Sequence, residues 1–121
     1  MGPTPDQVPL EQLQLYARLI GTNPKIELKG GVKLPYTSHN GNMFSFLTKE
    51  GTLALRLSPV DREAFLRKYN AKLCEQHGAI LKEYVAVPDA LLRNTSELEP
   101  YLTLSFAYVQ TLKPKVTKKK A

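Results

Sequence analysis

Residues 36–57, Tyr36-Thr37-Ser38-His39-Asn40-Gly41-Asn42-Met43-Phe44-Ser45-Phe46-Leu47-Thr48-Lys49-Glu50-Gly51-Thr52-Leu53-Ala54-Leu55-Arg56-Leu57, decide the fold class of this chain. Within them, 43–48 and 52–57 are runs rich in aliphatic and aromatic side chains. Three residues that include a glycine part them, which is a β-hairpin signature. Strand alternation predicts Phe44, Phe46 and Thr48 on one face of the first strand, and Leu53, Leu55 and Leu57 on one face of the second. Asn40-Gly41 predicts a two-residue turn, since both positions tolerate positive φ. The result is an antiparallel meander: a strand before Asn40, one from Asn42 to Thr48, and one from Thr52 to Leu57.

On the C-terminal side, Ser58 is a helix cap, Pro59 suits the first helical position and Asp61 lies near the positive end of the helix dipole. Ala64, Phe65, Tyr69 and Leu73 predict a buried stripe on a helix running through Cys74, which Gly78 stops. Residues 80–87 form a β-branched-rich run, expected to be the fourth strand. Pro88 and Asp89 open a short helix holding Leu91 and Leu92. Ser96 and Glu99 have capping-box spacing before a last helix that Pro114 ends. On the N-terminal side, Leu10, Leu13, Ala17 and Ile20, widened by Tyr16, predict a helix over 9–20 that Gly21 and Pro24 end. Residues 25–29 alternate as a short strand, Gly30-Gly31 bends it, and residues 32–34 resume it before Pro35. Hairpins in the middle and amphipathic helices at both ends predict a two-layer α+β domain. Its antiparallel sheet has four or more strands, with helices on one face.

The chain has 121 residues, 42% apolar and 23% charged, which suits one globular domain and one core. We expect a flexible lead over 1–8, a single domain over 9–112 and a Lys-rich tail over 113–121. No apolar run approaches the ~20 residues of a membrane span. The N-terminus lacks the pattern of a signal peptide, and the lone Cys74 fits a reducing compartment, so the expected location is the cytoplasm. The net charge of +6 is concentrated in Lys113, Lys115, Lys118, Lys119 and Lys120; without them 12 basic residues face 11 acidic ones. The basicity is therefore a tail and not a face, and implies at most weak, salt-sensitive contact with nucleic acid.

Several pieces in register resemble the TfoX N-terminal domain family. Gly30-Gly31 falls where that family has a glycine pair. Gly41-Asn42-Met43-Phe44 resembles its Gly-x-Met-Phe strand start, and Leu53-Ala54-Leu55-Arg56-Leu57 its second hairpin strand. Residues 61–65 resemble the helix that follows. Tyr84-Val85-Ala86-Val87-Pro88-Asp89-Ala90-Leu91-Leu92 resembles its Val-Pro-x-x-Leu-Leu segment. The likeness spans roughly residues 10–112. It implies a small α+β domain with helices on one side of an antiparallel sheet, in a family associated with regulation of natural competence. Glu27-Leu28-Lys29 departs from the Met-Phe usual before the glycine pair, and the family's separate C-terminal domain is absent from this sequence.

For chemistry the sequence offers no catalytic constellation. His39 and His77 are far apart, no Cys/His set has metal-ligand spacing, and no cofactor motif is present. Cys74 reads as a small buried hydrophobe, and Glu97 and Glu99 as helix-start residues. The densest set of uncharged hydrogen-bonding groups is Tyr36, Thr37, Ser38, His39, Asn40 and Asn42. With Arg56 as an anion partner across the hairpin, these are the candidate small-ligand residues; the plainer alternative is a turn that satisfies its own backbone. The last helix carries a stripe of Leu98, Leu102, Ser105, Val109 and Leu112, and a second of Tyr101, Leu104 and Tyr108. The second is either a homodimer contact or a surface covered by the N-terminal helix. The function expected is that of a small non-enzymatic domain that binds a partner protein or its own copy. A small-ligand-binding or weakly catalytic domain is the alternative, and nucleic-acid binding through the tail a further one.

Overall fold

The computed structural model describes residues 8–114. Its sheet is set by tight turns. Asn40 and Gly41, both at positive φ (52° and 80°), join β1 (Tyr36–His39) to β2 (Asn42–Leu47). The next turn is held by Thr48, whose carbonyl accepts from the Gly51 N–H at 2.9 Å and whose hydroxyl accepts from the Thr52 N–H at 3.0 Å. It leads into β3 (Leu53–Arg56).

A third hairpin follows that was predicted as helix. Helix α2 (Pro59–Tyr69) starts as expected, with the Ser58 hydroxyl accepting from the Asp61 N–H, but it stops at Asn70, which adopts the left-handed conformation (φ 50°). Leu73 and Cys74 therefore lie on a strand, β4 (Lys72–Gln76), and Ala64 is exposed. The positive-φ pair His77-Gly78 is a hairpin turn into β5 (Ala79–Val87), not a helix stop.

The five strands form one antiparallel sheet in the order β1-β2-β3-β5-β4. Helix α1 (Leu10–Ile20), the short α3 (Asp89–Leu92) and α4 (Thr95–Gln110) join α2 in contributing to the main core, with Leu47, Leu53, Leu55, Leu57, Val85 and Val87 from the sheet side. The expected α+β architecture is what the chain adopts.

Four local expectations are corrected. The α1 stripe is rotated: Leu15, Tyr16, Leu19 and Ile20 are buried, Ala17 is exposed and Leu10 is 66% exposed. Residues 25–29 and 32–34 form no strand; only Lys29 bridges Tyr36, because the chain turns at Gly30 and Gly31. At Gly30 (φ +86°) an added Cβ would lie 2.0 Å from the Leu34 carbonyl oxygen, so only glycine fits the bend. The α4 cap is Asn94, whose side chain accepts from the Glu97 N–H, two residues before the expected Ser96. Finally, Val8 is no loose lead: it is buried and its N–H donates to the Val32 carbonyl at 3.3 Å.

A further correction concerns the deciding hairpin itself. Thr37 opposes Ser45 but Ser38 opposes Met43, leaving Phe44 as an extra residue, a β-bulge. Phe44 and Ser45 consequently both turn toward the helices, where Phe44 meets Phe106 at 5.5 Å. Phe46 turns the other way and joins Ala54 and Cys74 in a second, smaller cluster. This second face of the sheet is not left to water. Between Leu73 and Cys74 the β4–β5 register shifts by three residues, and Cys74 and Leu81 pack with Phe46 and Ala54. The His77-Gly78 turn borders a cavity with Leu34, Thr48 and Glu50, from the other end of the sheet.

Candidate functional site

The polar residues of 36–42 alternate between the two faces of the sheet and do not converge. Thr37 is buried under α1, where the hydroxyls of Tyr16, Ser45 and Thr37 form a chain with 2.5 Å between neighbours. Burial pushes the Tyr16 phenol above its ordinary pKa of 10.0, opposed in part by the hydroxyls of Ser45 and Thr37. Tyr36 packs on the second face, and Ser38 accepts from the Lys29 Nζ at 3.2 Å. His39 lies edge-on to Phe106, with ring centroids 5.4 Å apart. Asn40 is the exposed turn residue. The Asn42 amide donates to the Lys113 carbonyl at 3.0 Å, so it ties down the end of the described chain.

Arg56 lies where the β2–β3 ladder ends. The pairs of that ladder begin at Ser45, so Met43 and Phe44 lie outside it. Side chains take up their carbonyls. The Tyr84 hydroxyl donates to the Met43 carbonyl at 2.8 Å and the Arg56 Nη1 to the same oxygen at 3.3 Å. The Ser105 hydroxyl of α4 donates to the Arg56 carbonyl, with the Phe44 carbonyl 3.2 Å away. The Arg56 guanidinium stands 6.0 Å from the Tyr84 ring centroid and 5.9 Å from that of Tyr108, and its Nε donates to Glu83 at 2.6 Å. Burial raises the Tyr84 pKa while the Arg56 charge lowers it. Of the seven candidate ligand residues, Asn42 and Arg56 line one cavity, about 510 Å³ in volume, with Met43, Lys82, Glu83 and Tyr84 also in its walls.

The other candidates are equally engaged. Cys74 is 2% exposed, and burial, followed by the charge of Glu50, pushes its thiol pKa up, away from the reactive thiolate. Among the described residues no cluster of three or more His, Cys, Asp or Glu could hold a metal ion. On α4, Tyr101 is half-buried against Phe65 and Tyr69 of α2, at 5.1 and 5.8 Å, and Tyr69 donates to Glu97 at 2.7 Å. Tyr108 is half-buried at Arg56, leaving Leu104, 38% exposed, as the open member of that trio. Lys113 is described; Lys115, Lys118, Lys119 and Lys120 lie outside the described residues. No helix among the described residues is long and apolar enough to cross a membrane.

One open apolar surface went unread in the sequence. A groove of about 580 Å³ runs between α2 and the outer strands, lined by Pro59, Arg62, Leu66, Leu73, Ile80 and Lys82, with Glu63. Ile80 is 59% exposed, and Val60, next to Pro59, is 79% exposed. Glu63 is paired with Arg67 at 2.9 Å, whereas Arg62 donates only to the Leu57 carbonyl, and Lys82 makes no ion pair among the described residues. Beside the groove, β4 pairs with β5 alone among the described residues, which leave its outer edge open. The signal that would have revealed it is His77-Gly78 between two short alternating runs, a hairpin motif that makes 72–76 a strand. In comparisons with known protein families, with curated proteins and with solved structures, the chain has no match.

Proposed function

We propose that this chain is a small non-enzymatic accessory or regulatory domain of the cytoplasm that works by binding a partner protein, in the manner its likeness to TfoX N-terminal domains implies. One observation carries the reading. Ile80, among the most exposed large aliphatic side chains described, lines the groove together with Pro59, Leu66 and Leu73. Scattered exposed aliphatics are ordinary, but apolar side chains gathered at one concave surface with a charged rim mark a protein-contact site. The polar groups of Thr37, Asn42 and Arg56 are, by contrast, engaged with the protein itself.

The test uses the whole chain and a random peptide display library, with the Ile80→Asp variant as counter-target. Ile80 is exposed, so this variant keeps its fold, which circular dichroism checks. Peptides that bind the parent and not the variant support the reading; a selection that yields only peptides indifferent to the change overturns it. A small-ligand role is the second reading, favoured by the cavity that Asn42 and Arg56 share. It predicts a thermal upshift with a small carboxylate or phosphate compound that Arg56→Lys abolishes.

A further inference from the structure

We infer that the partner is an extended, acidic and apolar polypeptide segment that adds to the outer edge of β4 as a sixth strand, with apolar side chains in the α2 groove. The inference rests on the partner-binding reading and specifies the partner's chemistry. Three observations lead to it.

The first is the open edge. Among the described residues β4 is the last strand of the sheet, and an unpaired edge offers backbone N–H and C=O groups to an incoming extended chain. A helical partner would leave those groups without bonds. The second is the position of the groove. Leu73 on β4 and Ile80 on β5 form one wall and Pro59, Arg62 and Leu66 on α2 the other, so alternate side chains of an added strand would enter it. The third is charge. Arg62 and Lys82 make no ion pair among the described residues, while Glu63 is paired with Arg67. On β4, Lys72 lies on the other face, and Glu75, opposite Ile80, adds one carboxylate to the groove face, which the two cations outnumber. The rim therefore selects carboxylates on the partner.

A second copy of this chain fits less well. In antiparallel pairing, opposite residues share a face, so a two-fold pairing of β4 centred at Cys74 sets Leu73 against Glu75, and one centred at Leu73 sets Lys72 against Cys74 and Ala71 against Glu75. In neither register does a cross-strand charge pair form, and in both a charged side chain meets an apolar one.

The test is a display library of blocked ten-residue peptides with Val, Leu or Ile at alternate positions and free choice of Asp, Glu, Lys or Arg between them. Selected peptides should be acidic and should shift the amide resonances of 72–76. Their binding should weaken with salt, and fall at least about fivefold in Lys82→Glu and in Arg62→Glu, where rim attraction becomes repulsion. N-methylation of alternate peptide amides, which removes strand-pairing donors, should abolish binding in one of the two phases. Selected peptides that need Ile80 but are basic, or that bind equally when N-methylated in either phase, overturn this inference and leave partner binding standing. Failure to select any Ile80-dependent peptide overturns both. Sedimentation of the parent as a β4-dependent dimer, split by Glu75→Pro, would assign the edge to a second copy and overturn the inference as well.

Discussion

Ser45 stands between Tyr16 and Thr37, and each hydroxyl in that buried chain depends on it. A buried polar group without a partner costs about 1–3 kcal/mol, whereas a satisfied hydrogen bond contributes about 1 kcal/mol net. Ser45→Ala should therefore lower stability by about 2 kcal/mol or more. Tyr16→Phe, which removes a terminal hydroxyl and leaves Ser45 and Thr37 bonded to each other, should cost about 1 kcal/mol. Urea melts measure both, and the reverse order would mean that packing of the Tyr16 ring, not the hydroxyl chain, dominates the site. The same phenol sets an alkaline limit. Burial raises the folded pKa of Tyr16 above 10.0, so the unfolded chain loses this proton first. The contribution is complete below about pH 9 and is lost as pH rises past 10. Tyr84, also raised by burial, acts in the same sense. The unfolding midpoint should fall on the alkaline side, and Tyr16→Phe should make the fall shallower.

Among the elements, the β4–β5 hairpin turns on His77, which holds a left-handed conformation (φ 53°) beside Gly78. Asparagine adopts that conformation more readily than histidine, and a β-branched residue resists it. His77→Asn should raise the melting temperature slightly, by a few tenths of a kcal/mol in stability, while His77→Val should cost about 1 kcal/mol or more. The side chain is exposed, so these effects report on the backbone alone. If both substitutions were neutral, the turn would not be what fixes this hairpin. The bulge at Phe44 is a second device of this scale. It directs two consecutive side chains to the helices, and Tyr84, Arg56 and Ser105 bond the carbonyls of Met43 and Phe44 beside it. An arginine that reads in sequence as an anion receptor is thus drawn into holding β2, β3 and α4 together.

At the scale of the molecule the sheet buries both faces unequally, one under four helices and one against its own outer strands. Phe44 belongs to the larger core and Phe46 to the smaller. Truncating a buried phenylalanine costs about 3–5 kcal/mol, a large share of the roughly 5–15 kcal/mol that holds a domain together. Phe44→Ala should fall at the upper end of that range and leave the chain close to unfolding at 37 °C. Phe46→Ala should cost measurably less, because its cluster has fewer buried members to leave around a cavity. Equal losses in denaturant melts would show that the second face is as much a core as the first.

The sequence by itself determined the α+β class, the turns at Asn40-Gly41 and Gly51, the Ser58-Pro59 helix start and the hydrophobic run of β5. Each is a local matter, decided by φ preferences, capping and side-chain period within a few residues. It did not determine which side of β2 Phe44 and Phe46 occupy, since one bulged residue inverts a period of two and the inversion is compensated by Tyr84 and Ser105, 40 and more positions away in the chain. It misplaced Leu73 and Cys74 on a helix because their spacing from Phe65 and Tyr69 suits either structure, and Asn70 decides the matter only once β5 is present to pair with β4. The polar stretch before Asn42 looked like a site because composition counts groups without knowing their partners. Folding gave those groups to Tyr16, Ser45, Phe106 and Lys113. The open groove at Leu66, Leu73 and Ile80 exists only where α2 and an unpaired edge strand come together, a juxtaposition that tertiary packing alone creates.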